Sequence, residues 1–250
     1  MGRAWNMTNS FVIKLYKYIA KYNFNNIMMQ AKGLETTSKA PFFVSDYKGS
    51  FNFSRLIEKK LILEIAKFLK VNFSKLSGYF TTGGTESNIY SLWLARNWAE
   101  KIAKPNEKSF WLIPDSSHYS IFKALNILGI LDNHRHKIKK INLNFNLSIN
   151  SSEIINLIKN IRVSGDSPII IVLTAVTTEF GLIDPIGEVV FFIKKNKIKN
   201  VFIHLDACFS GLILPLFKKY KTLFSHPEIS TISIDFHKTF GSPIGSGLVL

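Results

Sequence analysis

The sequence predicts an α/β fold in which a mainly parallel, seven-stranded sheet is flanked by helices. Helical and strand patterns alternate along the chain from residue 54 onward, as repeated βα units do. The clearest strand, residues 169–176, is a short run rich in β-branched side chains, which is typical of a strand buried on both faces. Neither an internal repeat nor a low-complexity linker interrupts residues 54–250, so we expect them to form one domain.

The spacing of apolar residues predicts the elements in the first half of this domain. Leucine and isoleucine recur every three or four positions over residues 56–69, which predicts a helix. A second helix is predicted over residues 86–101, with Ile89, Leu92 and Trp93 directed inward. The remaining elements of this half are strands at residues 79–82, 110–113 and 141–143 and a helix at residues 119–128.

The second half continues the alternation and ends on three strands. Isoleucines at helical spacing predict a helix over residues 151–161, and Ser151 or Ser152 is a plausible N-cap for it. Apolar runs bounded by polar or glycine residues then predict the rest of the sheet. In order, these elements are strand 169–176, helix 187–196 and strands 201–205, 230–234 and 246–250.

Size and composition indicate a globular protein. The chain has 250 residues, 46% of them hydrophobic, with 21 phenylalanines, which is enough apolar surface for a large core. Residues 1–53 do not follow the alternating pattern, and we expect them to be a helical and looped N-terminal extension.

The net charge of +15 raises the question of nucleic-acid binding, but the basic residues argue against it. Only five of the 32 lysines and arginines are arginine, and they are scattered along the chain. Arginine is the preferred residue for bidentate contacts with phosphates and bases. We therefore predict no nucleic-acid partner.

The sequence also predicts a cytoplasmic protein without a membrane partner. No apolar run approaches the ~20 residues that a membrane-spanning helix needs. The first residues show helical spacing in place of a signal-peptide pattern. A single cysteine, Cys208, excludes an intrachain disulfide. We predict no metal site.

Polar residues follow five of the predicted strands at their carboxyl ends. They are residues 82–85, 115–118, 177–178, 206 and 237–238. Ligands of open α/β sheets collect at this edge, so the sequence predicts one binding site built from five loops.

The first two of these loops offer groups for an anion and an aromatic ring. Glycines in residues 81–88 allow close backbone approach at a helix N-terminus, where a phosphate can bind; an ordinary tight turn is the alternative. His118, at a helix entry, could stack on a ring, or it could be a half-buried histidine bonded to a backbone carbonyl.

The last two loops offer a carboxylate and an amine. Asp206 ends an apolar strand and could keep a pyridine nitrogen protonated; an N-cap for the next segment is the alternative. Lys238 follows another apolar strand, where burial would make its amine a nucleophile suited to Schiff-base chemistry. The alternative is an ordinary surface lysine.

Together these motifs resemble the group II pyridoxal-phosphate-dependent amino-acid decarboxylases. The segments that carry the likeness are, in chain order, Tyr79-Phe-Thr-Thr-Gly-Gly-Thr-Glu-Ser-Asn88, residues 115–124 with Ser-His-Tyr-Ser-Ile-Phe-Lys-Ala, Thr177-Thr-Glu-Phe-Gly-Leu-Ile-Asp184, Ile203-His-Leu-Asp-Ala-Cys208 and Asp235-Phe-His-Lys238. The likeness runs from about residue 40 to 250 and is nearest to the histidine and serine decarboxylase-like enzymes and the archaeal tyrosine/aspartate decarboxylases.

The resemblance implies a fold and an activity. Residues 54–250 would be the pyridoxal-phosphate-binding large domain of fold type I, the aspartate aminotransferase-like fold. The cofactor would be pyridoxal 5'-phosphate, and the reaction would convert a histidine, serine, tyrosine or acidic amino acid to its amine and CO2. A homodimer is implied, and so is a small C-terminal domain, which leads us to expect a C-terminally truncated chain.

The resemblance also implies a role for each site residue. Lys238 would form the Schiff base, Asp206 would pair with the ring nitrogen, and His118 would stack on one ring face with residue 208 on the other. Gly84, Thr85 and His237 would hold the phosphate, and Thr177 or Thr178 would contact the ring or substrate. Two positions depart from common family usage: Cys208 stands in place of alanine, and Asp235 in place of asparagine or serine.

Two other functions remain open at this point. A lyase of the sphingosine-phosphate lyase type shares these motifs and the cofactor but cleaves a different bond. A truncated, non-catalytic remnant could instead bind the cofactor or a partner without turnover.

Overall fold

The computed structural model describes residues 52–72, 76–239 and 241–250. The chain divides into two compact units, residues 1–59 and residues 60–250, and the sheet belongs to the second. The predicted N-terminal extension, residues 1–53, lies outside the described residues except for its last two.

Helices and strands alternate over the described residues up to 206, in the order that the sequence predicts, and two further strands follow. The helices are α1 (Asn52–Leu69), α2 (Gly84–Ile102), α3 (Tyr119–Ile127), α4 (Ser151–Val163) and α5 (Ile186–Lys195). The strands are β1 (Tyr79–Thr81), β2 (Ser109–Pro114), β3 (His136–Ile141), β4 (Ile169–Thr174), β5 (Val201–Asp206), β6 (Ile229–Asp235) and β7 (Gly247–Val249). Two short 3-10 helices, Leu214–Leu216 and Lys218–Tyr220, lie between β5 and β6.

These seven strands form one sheet in the order β1-β7-β6-β5-β4-β2-β3. Neighbours from β6 to β3 pair in parallel, whereas β7 is antiparallel to both β1 and β6. The predicted mainly parallel, seven-stranded sheet is thereby confirmed. Because β7 is antiparallel to both of its neighbours, β1 and β6 run in the same direction. The carboxyl ends of β1, β2, β4, β5 and β6 therefore lie at the same edge of the sheet.

Apolar residues of alternating strand positions build a core on each face of the sheet. On one face, Ile171 and Leu173 of β4 belong to a cluster that also contains side chains of α1, α4 and α5. On the other, Ile170 and Val172 pack in a cluster with side chains of α2 and α3. Every residue of β4 is buried, as expected of a parallel strand covered by helices on both sides.

Two predicted boundaries were wrong. The third strand is residues 136–141, not 141–143: it is an edge strand whose sequence His-Lys-Ile-Lys-Lys-Ile exposes its lysines, so its apolar signal is weak. The N-cap of α4 is Asn150, whose side chain accepts a hydrogen bond from the Ser152 backbone N–H at 3.1 Å. Within the described ranges, no helix combines the length and apolar character needed to cross a membrane.

Candidate active site

Loops that follow β1, β5 and β6 meet at the carboxyl edge of the sheet. Gly84 lies so close to the loops after β5 and β6 that a Cβ atom at this position would be 2.5 Å from Cys208 Sγ and 2.8 Å from Asp235 Oδ2. From the same turn, Gly83 lies against His237, whose Cε1 would be 3.7 Å from an added Cβ. The structure therefore brings Gly84, Cys208, Asp235 and His237 together.

The turn from β1 into α2 exposes backbone N–H groups at a helix N-terminus. Gly83 has a φ of 147°, a conformation that favours glycine. The first N–H groups of a helix have no acceptor within it. The bond from the Ser87 N–H to Gly83 O, at 3.0 Å, closes the first turn of α2. Glu86 closes the turn by accepting bonds from the Thr82 N–H and hydroxyl, both at 2.7 Å. Half-buried Thr85 lies on this first turn.

Lys238 forms an ion pair with Asp235, three residues earlier. Its Nζ lies 3.2 Å from Asp235 Oδ2, and His237 Nε2 lies 3.8 Å from the same oxygen. Burial raises the pKa of Asp235, while the Lys238 charge opposes this shift. The sequence led us to expect a buried amine, but the Lys238 side chain is 29% exposed, because it lies beyond the last residue of β6.

Asp206 is the last residue of β5, and its carboxylate is held from two sides. Its Oδ1 accepts a hydrogen bond from the Cys208 backbone N–H at 3.1 Å, and its Oδ2 accepts one from Asn88 Nδ2 at 2.8 Å. The side chain is buried, with 4% exposure. Sequence reasoning did not assign Asn88 to the site, since its contact with Asp206 joins residues 118 positions apart.

His118 is the N-cap of α3 and lies at the tip of the loop after β2. Its Nδ1 accepts a hydrogen bond from the Ser120 backbone N–H at 3.3 Å and lies 2.7 Å from Ser120 Oγ. Its half-buried ring lies 4.3 Å from the Tyr119 ring, centroid to centroid. Nearby, the buried hydroxyls of Ser116 and Ser117 have no hydrogen-bond partner among the described residues.

The two threonines after β4 shape their own loop. Buried Thr177 accepts a bond from the Leu182 backbone N–H through its hydroxyl at 3.0 Å, and its own N–H donates to Leu182 O at 2.8 Å. Thr178 is exposed. In the part of the chain that the structure describes, neither makes a hydrogen bond with the other four loops.

Asp184, at the end of the same loop, is a buried carboxyl group that sequence reasoning did not assign to the site. Its Oδ2 accepts a hydrogen bond from the Thr174 backbone N–H at 2.6 Å, and Thr174 pairs with Asp206 in the sheet. Burial, assisted by the Asp206 charge, raises the pKa of Asp184 to about 7 although the Thr174 hydrogen bond opposes the shift. A carboxyl group with this pKa is partly protonated at neutral pH.

Replacing Asp184 by asparagine is expected to change how stability depends on pH. The pKa of this group is 3.8 without the protein environment and about 7 in the folded chain. Between these values the folded state holds a proton that the unfolded state releases, so the free energy of unfolding falls as pH rises. Asparagine keeps an acceptor for Thr174 without the charge. At pH 8 the free energy of unfolding of Asp184→Asn should therefore exceed that of wild type by on the order of 1 kcal/mol for each unit by which the Asp184 pKa is raised.

Urea unfolding of both proteins at several pH values between about 4 and 8 measures this difference. His204 contributes with the opposite sign, since burial lowers its pKa to about 4, but it is present in both proteins and cancels in the comparison. Exposed Asp132 offers a matched control, Asp132→Asn. Parallel stability curves for wild type and Asp184→Asn would show that the Asp184 pKa is not raised.

Cys208 is a buried neutral thiol in contact with the glycine turn. Burial, together with the charges of Asp206 and Asp235, raises the pKa of the Cys208 thiol well above its ordinary value. A neutral buried cysteine behaves as a small apolar side chain. Within the described ranges it belongs to no group of three or more His, Cys, Asp or Glu side chains that could hold a metal ion.

Comparison with known sequences supports one family. Residues 52–250 match the pyridoxal-dependent decarboxylase conserved domain. The chain is 29% identical over 219 residues to a tryptophan decarboxylase of Clostridium sporogenes, covering 86% of this chain and 49% of that protein. It is 34% identical over 184 residues to a probable L-tyrosine/L-aspartate decarboxylase of Methanosarcina barkeri, covering 71% and 42%. The chain thus spans about half the length of these curated relatives.

Comparison with solved structures supports the same fold. The glutamate decarboxylase domain of a Vibrio parahaemolyticus enzyme matches with a TM-score of 0.66 at 24% identity, over 79% of this chain and 43% of that one. A Burkholderia pseudomallei sphingosine-1-phosphate lyase matches with a TM-score of 0.63 at 20% identity, over 78% and 44%. Both similarities concern the fold alone, and they confirm the predicted fold type I. By the extent of its match to the conserved domain, the chain belongs to the pyridoxal-dependent decarboxylase family, whose cofactor is pyridoxal 5'-phosphate.

Proposed function

We propose that the chain is the cofactor-binding part of an L-amino-acid decarboxylase that releases CO2 and an amine. The observation that carries the proposal is the Asp206 carboxylate, buried at a strand end and held by Asn88 and the Cys208 backbone. Asp206 ends strand β5, and the loop that follows it contacts the glycine turn through Cys208. Residues 54–250 would form the large domain, with residues 1–53 as an N-terminal extension.

The residues at this edge fit pyridoxal phosphate chemically. The cofactor needs an anion site, a carboxylate for its ring nitrogen and an amine for its aldehyde carbon. The edge offers the N-terminus of α2, the Asp206 carboxylate and the Lys238 amine. The absence of a Cβ at Gly84 lets the turn pack against the loop after β5, because an added Cβ atom would lie 2.5 Å from Cys208 Sγ. The Ser117 hydroxyl is buried with no partner among the described residues.

Each side chain would hold a different part of the cofactor. Gly84 and Thr85 would bind the phosphate through the helix N-terminus, helped by His237. Asp206 would bind the ring nitrogen, with His118 on one ring face and Cys208 on the other. Thr177 or Thr178 would contact the ring or the substrate.

Asp235 and Lys238 would prepare the reactive amine. The ion pair of 3.2 Å holds Lys238 Nζ at a fixed place near the glycine turn, and Lys238 must transfer a proton before it can attack an aldehyde carbon. The Asp235 carboxylate, whose pKa burial raises, is an acceptor for that proton. When bound, the cofactor supplies an electron sink for the electron pair released as the substrate's carboxylate leaves.

The substrate would be an aromatic or acidic L-amino acid, or histidine or serine. The protein would act in the cytoplasm as a homodimer. Relatives named for tryptophan and for tyrosine or aspartate support the first two classes. Exposed aromatic side chains adjoin the site at Tyr119, beside His118, and at Phe209, beside Cys208. A second copy of the chain would remove these rings from water.

Release of CO2 tests this function directly. The full chain with pyridoxal phosphate is given tryptophan, tyrosine, aspartate, glutamate, histidine and serine, and CO2 is measured, with Lys238→Ala as the matched control. We expect release from at least one amino acid that is absent in the variant. Cofactor binding without any release would overturn the decarboxylase proposal in favour of a binding remnant, and aldehyde formation from a phosphorylated amino alcohol would overturn it in favour of a lyase.

A further inference from the structure

A buried row of polar side chains connects Asp206 to His118. Asn88 Nδ2 lies 2.8 Å from Asp206 Oδ2 and 2.9 Å from Ser120 Oγ. Ser120 Oγ lies 2.7 Å from His118 Nδ1. Asn88 and Ser120 are both fully enclosed, so the two predicted ring-binding residues are joined by only two intervening side chains, sheltered from water.

A second buried arm holds Asn88 from the other side. Asn88 Oδ1 lies 3.1 Å from His204 Nε2, and His204 Nδ1 lies 2.9 Å from Thr231 Oγ1. His204 has no exposed surface, and burial lowers its pKa to about 4. At neutral pH it therefore carries one ring proton, so one of its nitrogens donates and the other accepts.

The chemistry of the groups gives every bond in this row a direction. A carboxylate only accepts hydrogen bonds, so the amide nitrogen of Asn88 must face Asp206, and its two N–H groups serve Asp206 and Ser120. Asn88 Oδ1 then accepts from His204, which places the His204 proton on Nε2. His204 Nδ1 accepts from the hydroxyl of Thr231.

The same reasoning locates the proton on His118. The Ser120 hydroxyl accepts from Asn88, so its own hydrogen is free to point at His118 Nδ1, 2.7 Å away. The Ser120 backbone N–H points at the same nitrogen from 3.3 Å. A nitrogen that accepts these bonds is unprotonated, so the neutral His118 ring carries its proton on Nε2.

We propose that Asn88, held by His204, is a positioning residue that orients the Asp206 carboxylate and fixes His118 as the Nε2–H tautomer. This positioning role rests on the proposed function, because Asn88 would orient two groups that contact the cofactor ring. Asp206 keeps free lone pairs for the ring nitrogen, and His118 presents a donor, not an acceptor, away from α3. The buried Asn88 amide thus positions both Asp206, which would bind the nitrogen of the cofactor ring, and His118, which would stack on a face of that ring.

Nitrogen-15 NMR of the full chain with labelled histidine tests the proposal. In wild type at alkaline pH, where imidazoles are neutral, we expect His118 to show a bare Nδ1 and a protonated Nε2. In Asn88→Ala the ratio of Nδ1–H to Nε2–H should rise about fivefold, the factor that one ordinary buried hydrogen bond supports. Asn97→Ala, on the same helix but outside the row, should leave the spectrum unchanged.

A protonated Nδ1 on wild-type His118 would overturn the proposal, as would an unchanged tautomer ratio in a folded Asn88→Ala protein. If Asn88→Ala does not fold, Ser120→Ala asks the same question with the loss of one hydroxyl, and it should also raise the Nδ1–H population. The tautomer is measured without pyridoxal phosphate. Failure to bind the cofactor would therefore contradict the proposed function alone, and a wrong tautomer would contradict only the positioning role.

Discussion

Replacing Lys238 by arginine should abolish the visible absorbance that the full chain acquires with pyridoxal phosphate. Arginine keeps a positive charge beside Asp235, but a guanidinium does not lose its proton in proteins and cannot attack an aldehyde. Lys238→Ala should lose the band as well and should also leave the buried Asp235 carboxylate without its nearest cation, which lies at 3.2 Å. Absorbance spectra and urea unfolding of the two variants separate the amine's chemistry from its electrostatic role.

The expected pattern is specific to this lysine. Exposed Lys221 supplies a control, and Lys221→Ala should keep the full band. Reduction with borohydride before digestion should leave the cofactor's mass on the peptide that contains Lys238 in wild type and in the control only. A band of wild-type intensity in Lys238→Arg would show that another amine binds the cofactor.

Replacing Asp206 by asparagine should weaken cofactor binding by at least tenfold. A neighbouring carboxylate shifts the pKa of an opposite charge by about 1–3 units, which corresponds to roughly 10- to 1000-fold in the protonated form of a ring nitrogen. The substitution also places an amide N–H₂ opposite either the Cys208 N–H or Asn88 Nδ2, the two donors that now face the carboxylate. One buried donor is then left without its acceptor, at a cost of about 1–3 kcal/mol.

Equilibrium titration with pyridoxal phosphate measures the loss, and urea unfolding measures the cost to the fold. Asp132→Asn, a substitution of the same kind on the surface, should change neither. Equal affinity for wild type and Asp206→Asn would remove Asp206 from the cofactor site. Lower stability with unchanged affinity would restrict Asp206 to a structural role.

The sequence was sufficient to predict the sheet and to place the candidate site residues after its strands, because both follow from local patterns. Buried parallel strands such as β4 read as continuous apolar runs, and the polar residues after them mark their carboxyl ends. Strand β3 was misplaced because an edge strand tolerates the lysines at positions 137, 139 and 140, which hide its periodicity.

Supporting residues could not be found in the same way. Asn88 and His204 lie 116 residues apart, and nothing in the local sequence of either shows that they meet. Asp184 ends the family-like segment 177–184, yet its raised pKa depends on burial and on the charge of Asp206. Roles of this kind arise from tertiary contacts, which only the folded structure reveals.

The antiparallel strand β7 has a consequence for the order in which the chain folds. Among the described strands, β1 pairs with β7 alone, through the partners Tyr79 with Val249 and Thr81 with Gly247. Contacts so distant in sequence form late, because the entropy of closing a long loop is lost before the contacts contribute any stabilisation. Strand β1 is synthesised among the earliest of the sheet, yet it finds its partner only after residue 249 has left the ribosome. The turn that begins α2 is therefore expected to become fixed after the central parallel strands, as a finishing step of assembly.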